Sequence, residues 1–145
     1  MQKFFRWTSV TLCSVVLASC STTPTPASDA TPVPKERLSE HALAIPEVYG
    51  TIIVTRDSGA RGSACYLGFA IDRIFLARFD TKETASFRVS PGEHLIQVMQ
   101  DPEARGLCLG ADWGATRETM IKTNETKHFR LLIDQSGFVD VQRSD

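Results

Sequence analysis

The sequence predicts a small all-β protein, an antiparallel sandwich of about seven or eight strands preceded by a signal peptide and a disordered tether. Two observations carry that class. From residue 51 onward, short runs rich in Val, Ile, Phe and Thr are separated by clusters of Gly, Pro, Asp, Asn and Ser, at a spacing of roughly ten residues. Over the same stretch, no segment keeps apolar residues at helical spacing for as long as about twelve residues.

The elements follow in order. Residues 51–55 (TIIVT) are β-branched throughout and form the first strand. Asp57-Ser58-Gly59 and Arg61-Gly62-Ser63 make a loop. Residues 64–71 form the second strand, with Cys65, Leu67, Phe69 and Ile71 on one face and Tyr66, Gly68 and Ala70 on the other. Asp72-Arg73 is a tight turn into a third strand over 74–79. Residues 80–83 turn the chain into the fourth, 84–89, where Phe87 and Val89 point inward. Ser90-Pro91-Gly92-Glu93 suits a type II turn, with Pro followed by Gly, and 94–99 is the fifth strand. After a loop at 101–106, residues 107–109 read as a short strand that brings Cys108 near Cys65, and 115–121 as another strand. A turn at 122–125 leads to 126–133 (TKHFRLLI), with Phe129, Leu131 and Ile133 on one face. A last turn at 134–137 leads to the closing strand, 138–142.

The residues ahead of this domain have a different character. Met1 to Trp7 carries Lys3 and Arg6 and no acid; Thr8 to Leu17 is mostly apolar; Ala18 and Ser19 then lead to Cys20. That is the layout of a secretory signal, 1–19, too short in its apolar core to span a bilayer. Residues 20–46 hold five of the seven prolines and few aromatics, and read as an extended tether. A short helix over 35–45 (KERLSEHALAI) is the one element expected there. The domain proper is 47–145, large enough to form a core.

Leu17-Ala18-Ser19-Cys20 resembles the lipobox of bacterial lipoproteins. The resemblance implies cleavage before Cys20, a diacylglycerol on its thiol, and further acylation, as by palmitate, at the new amino terminus. Two or more acyl chains give stable attachment to a lipid bilayer, where one is marginal. Ser21 follows the cysteine; in that family this residue implies sorting to the outer membrane, facing the periplasm.

A secreted chain reaches an oxidising compartment, where the two remaining cysteines, Cys65 and Cys108, read as one disulfide. The formal net charge is −1, and losing Lys3 and Arg6 with the signal takes it to about −3. With no basic block, nucleic-acid binding lacks support.

Phe69-Ala70-Ile71-Asp72-Arg73, followed by residues 87–98 (FRVSPGEHLIQV), resembles PEGA-type β-sandwich modules and related lipoprotein domains of uncharacterised function. Pro91, Gly92 and His94 match the pattern; Arg73 departs from it, since Gly is usual after Asp72. The resemblance implies an accessory or binding role at the cell surface.

Residues 106–115 (GLCLGADWGA) hold the most distinctive side chain, Trp113, the one tryptophan beyond the signal. It is either an exposed binding anchor or a cap on one end of the core. With Cys65 joined to Cys108, the residues Arg61, Arg105, Asp112 and Trp113 would form a candidate binding rim. His41, His94 and His128 are not spaced as metal ligands, and no cofactor is expected. Ser63 lacks the Gly-x-Ser-x-Gly setting of a nucleophile, and the glycines form no phosphate loop. No catalytic residue is assigned. The expected role is a non-catalytic binding or structural module of the envelope, with an envelope protein or glycan as partner. An inhibitor of a cell-wall-degrading or invading enzyme is the alternative within binding. An envelope hydrolase is the alternative from another class.

Overall fold

The computed structural model of the protein describes residues 22–144, so the segment read as a signal peptide and Cys20 lie outside the described residues. Nine strands run in chain order: β1 (Thr31–Pro32), β2 (Gly50–Arg56), β3 (Leu67–Ile71), β4 (Ile74–Phe79), β5 (Glu83–Val89), β6 (Gly92–Gln100), β7 (Gly114–Ile121), β8 (Thr126–Ile133) and β9 (Val139–Arg143). They form two sheets, ordered β1-β5-β2-β8-β9 and β4-β3-β6-β7. The all-β class and the sandwich-like layering hold. Alternation along the strands supplies the core between the sheets. Ile52, Val54, Phe87, Phe129, Leu131, Ile133 and Val141 come from the first sheet, and Leu67, Phe69, Phe79, Ile96 and Val98 from the second. Phe69 stacks on Phe87 with centroids 5.3 Å apart and meets Phe79 edge-on at 5.8 Å.

The sheets are not purely antiparallel. β2 pairs with β8 in parallel, Thr51 opposite Thr126 through Arg56 opposite Leu131. The chain lays down the whole second sheet between these two strands, and such a long crossover lets it return in the same direction. Residues 107–109 are not a strand; Gly106–Cys108 is a turn of 3₁₀ helix, closed by Leu109 N–H donating to Gly106 O at 3.1 Å. β3 starts at Leu67, because residues 62–65 are taken up by a turn in which Cys65 N–H donates to Gly62 O. The Asp72-Arg73 turn has positive φ at both residues, 53° and 67°, as a two-residue primed hairpin demands. Arg73 adopts this backbone without being glycine.

The largest difference concerns the segment read as a tether. Residues 22–46 lie along the domain. Thr31 N–H donates to Lys82 O (2.8 Å) and Val33 N–H to Thr84 O (2.9 Å), so β1 extends the first sheet beside β5. Proline is compatible with such an edge strand. Val33 and Ala42 are buried. The expected helix over 35–45 is two 3₁₀ turns, Lys35–Arg37 and Glu40–Leu43. Between them Ser39 N–H donates to Leu76 O and its hydroxyl to Phe75 O. Arg37 forms a two-pronged ion pair with Glu83 and lies over the Tyr66 ring, 4.5 Å from its centroid. Composition argued against burial on average, but a few anchors aimed at distant residues offset the ordering cost.

Candidate functional site

The pairing registers place one set of loops at one end of the sandwich. β2 ends at Arg56, β3 begins at Leu67 opposite Gln100, and β8 ends near Ile133. Loops 57–66, 101–113 and 134–138 therefore share that end. Cys65 and Cys108 form a disulfide there, with Cα atoms 5.6 Å apart. Their sequence separation is 43, so loop-closure entropy makes the bond worth about 4 kcal/mol. The Cys65→Ser, Cys108→Ser protein is expected to lose most of that, read as a lower urea midpoint. An unchanged midpoint would contradict it.

Arg56 holds the base of this end. Its side chain is buried and donates to the carbonyls of Cys65 (2.7 Å), Phe79 (2.8 Å) and Gly62 (2.8 Å). Burial pushes its pKa down to about 10, against the opposing pull of Asp80 and Glu83, so it stays cationic at neutral pH. Beside it, buried Asp57 pairs with Arg130 across β2 and β8. On the β4 side Arg78 binds Asp101 (2.9 Å) and Glu103 (2.6 Å). Its guanidinium lies 5.1 Å from the Tyr66 ring centroid, so that ring contacts Arg78 as well as Arg37. The hydrogen bond to Asp101 raises the Arg78 pKa despite partial burial. Burial opposes charge on Arg37 too, but the hydrogen bond and attraction to Glu83 outweigh it and raise its pKa.

All four residues named as a rim belong to the loops of this end. Trp113 is half-buried and packs against the core. Its ring lies over Gly62: a Cβ there would sit 3.7 Å from Trp113 Cη2. Gly62 has φ +67°, and the same Cβ would sit 2.3 Å from Ile133 Cδ1, so both the backbone and the packing favour glycine. Of the two roles considered for Trp113, the cap fits this placement. Arg61 is exposed, with its guanidinium against Gly137 in the β8–β9 turn. Arg105 is exposed on the other flank, lining a groove with Cys65, Tyr66, Arg78, Asp101 and Cys108. Asp112 is exposed. Three large apolar side chains share this end: Leu107 is 99% exposed, Phe138 68% and Leu109 63%.

The opposite end holds a His–Asp pair. His94 Nδ1 lies 2.6 Å from Asp72 Oδ2, and Nε2 lies 2.7 Å from Ser90 O. Asp72 Oδ1 accepts the Leu95 N–H at 2.8 Å. The imidazole bridges the Asp72-Arg73 hairpin and the start of β6, and both ring nitrogens face protein acceptors. That is the geometry of a clamp between two turns. A general base would need one nitrogen free to meet a substrate.

Sequence reasoning found the disulfide but missed Arg56, the Asp57–Arg130 pair and the Tyr66 stack. Their partners lie in other strands, and no local period marks them. No family model matches the chain, and no curated protein matches it.

Proposed function

We propose that the protein is a lipid-anchored module of the cell envelope that binds or braces another envelope component and performs no catalysis. The observation that carries this reading is Leu17-Ala18-Ser19-Cys20, followed by Ser21. Acylated Cys20 holds the chain on the periplasmic face of the outer membrane. Two features support a binding or bracing role. The buried charges are spent on internal bonds: Arg56 on carbonyls, Asp57 on Arg130, Glu83 on Arg37. Away from the disulfide, Leu43, Ile45, Val48 and Ile74 are exposed, a set of apolar side chains available to a partner.

In-cell crosslinking of the full-length protein against its Cys20→Ala form, with mass spectrometry of retained proteins and glycans, tests the reading. The expected result is acyl mass on Cys20 and one envelope component enriched with the anchored form. A full-length protein that carries the acyl mass but retains nothing would contradict the binding role. A Cys20 without acyl mass would contradict the anchor.

A further inference from the structure

The first described residues and the apolar loop tips lie at the same end of the molecule. Thr23 N–H donates to Ser58 O (2.7 Å), and Ser58 N–H donates back to Thr23 O (3.0 Å). The Thr22 hydroxyl lies 3.4 Å from Asp57 Oδ2, and a Cβ on Gly59 would sit 3.0 Å from Thr22 Cα. The chain is therefore fixed to loop 57–66 at its first described residues. Cys20 is two residues earlier in sequence. Consecutive Cα atoms are about 3.8 Å apart, so Cys20 Cα lies within about 8 Å of Thr22 Cα. An acyl chain on Cys20 would therefore start within a short, bounded reach of loop 57–66.

Leu107, Leu109 and Phe138 project at that end. Leu107 and Leu109 sit on a tight turn flanked by Gly106 and Gly110, both at positive φ. Cys108 between them is held by the disulfide and by the Gln100 amide, which donates to its carbonyl at 2.7 Å. The two leucines are thus presented on a braced turn. The other exposed apolar set cannot reach the same surface. β2 has seven residues, which at about 3.3 Å per residue sets the two ends roughly 20 Å apart. Arg61 and Arg105 flank the tips, but Asp112 is exposed beside them, so charge is mixed and apolar insertion decides.

We propose that this end rests on the bilayer, with Leu107, Leu109 and Phe138 seated at the boundary between headgroups and acyl chains beside the anchor. The inference rests on the reading of Cys20 as acylated. It fixes the orientation: the disulfide end is down, and Val48, Ile74 and the His94 clamp face away from the membrane.

The test uses the acylated protein in vesicles of phosphatidylethanolamine and phosphatidylglycerol, with lipids brominated near the headgroup end of the chains. On a Trp113→Phe background, one tryptophan is placed by Phe138→Trp and, in a second protein, by Val48→Trp. Both sites are exposed, so folding is preserved. At an insertion depth of about 5–10 Å, emission from Phe138→Trp is expected to fall by about half or more while Val48→Trp is unchanged. Acylated protein with Phe138→Trp unquenched, or with both sites quenched alike, overturns the proposal. Protein whose mass carries no acyl group overturns the anchor, and the proposal with it.

Discussion

Deleting residues 22–46 is expected to unfold the domain or leave it barely stable. Three losses combine. Val33 and Ala42 leave the core, β5 loses its parallel neighbour, and Glu83 loses Arg37. The Glu83 side chain is 10% exposed in the intact protein, and removing one partner of such a pair costs about 3–5 kcal/mol. A domain of this size has a total stability of about 5–15 kcal/mol. Urea unfolding followed by circular dichroism measures it. A deletion protein with an unchanged midpoint would restore the view of this segment as a loose tether. The Arg37→Ala protein should reproduce a large share of the loss without altering chain length.

Replacing Arg56 by Met is expected to destabilise by about 3 kcal/mol or more. The side-chain volume is roughly kept, but the carbonyls of Gly62, Cys65 and Phe79 lose their donor, the Phe79 bond being fully buried and the other two partly. Arg56→Lys keeps the charge without the planar fork and should recover only part of the loss. The effect should be flat between about pH 6 and 9. Burial sets the folded pKa, about 10, below that of an unfolded arginine. The unfolded state therefore binds more protons only above pH 10, where stability would rise with pH; below it the cost of burying the cation is constant. A stability difference from Met that shrinks steeply between pH 6 and 9 would contradict this assignment.

The strands were legible because their signal is local. Residues 126–133 alternate within themselves and 74–79 are an apolar run between two turns, and the structure places β8 and β4 on those residues. The cysteine pair was legible for a different reason: the domain 47–145 holds two cysteines, which have one possible pairing, and Cys65–Cys108 is that pair. Leu107 to Leu109 misled because an apolar triplet reads as strand, whereas Gly106 and Gly110 at positive φ bend it into a turn.

By itself, then, the sequence determined the all-β class, most strand positions and the disulfide. Each depends on alternation, on turn chemistry or on counting. Only the tertiary structure decided that residues 22–46 pack along the sheets, that β2 and β8 run in parallel, and that Trp113 caps the core while Leu107 and Phe138 project. Those outcomes turn on pairs such as Arg37 with Glu83, Asp57 with Arg130, and Thr23 with Ser58. Their partners are far apart in the chain, so their contributions exist only once the sheets have brought them together.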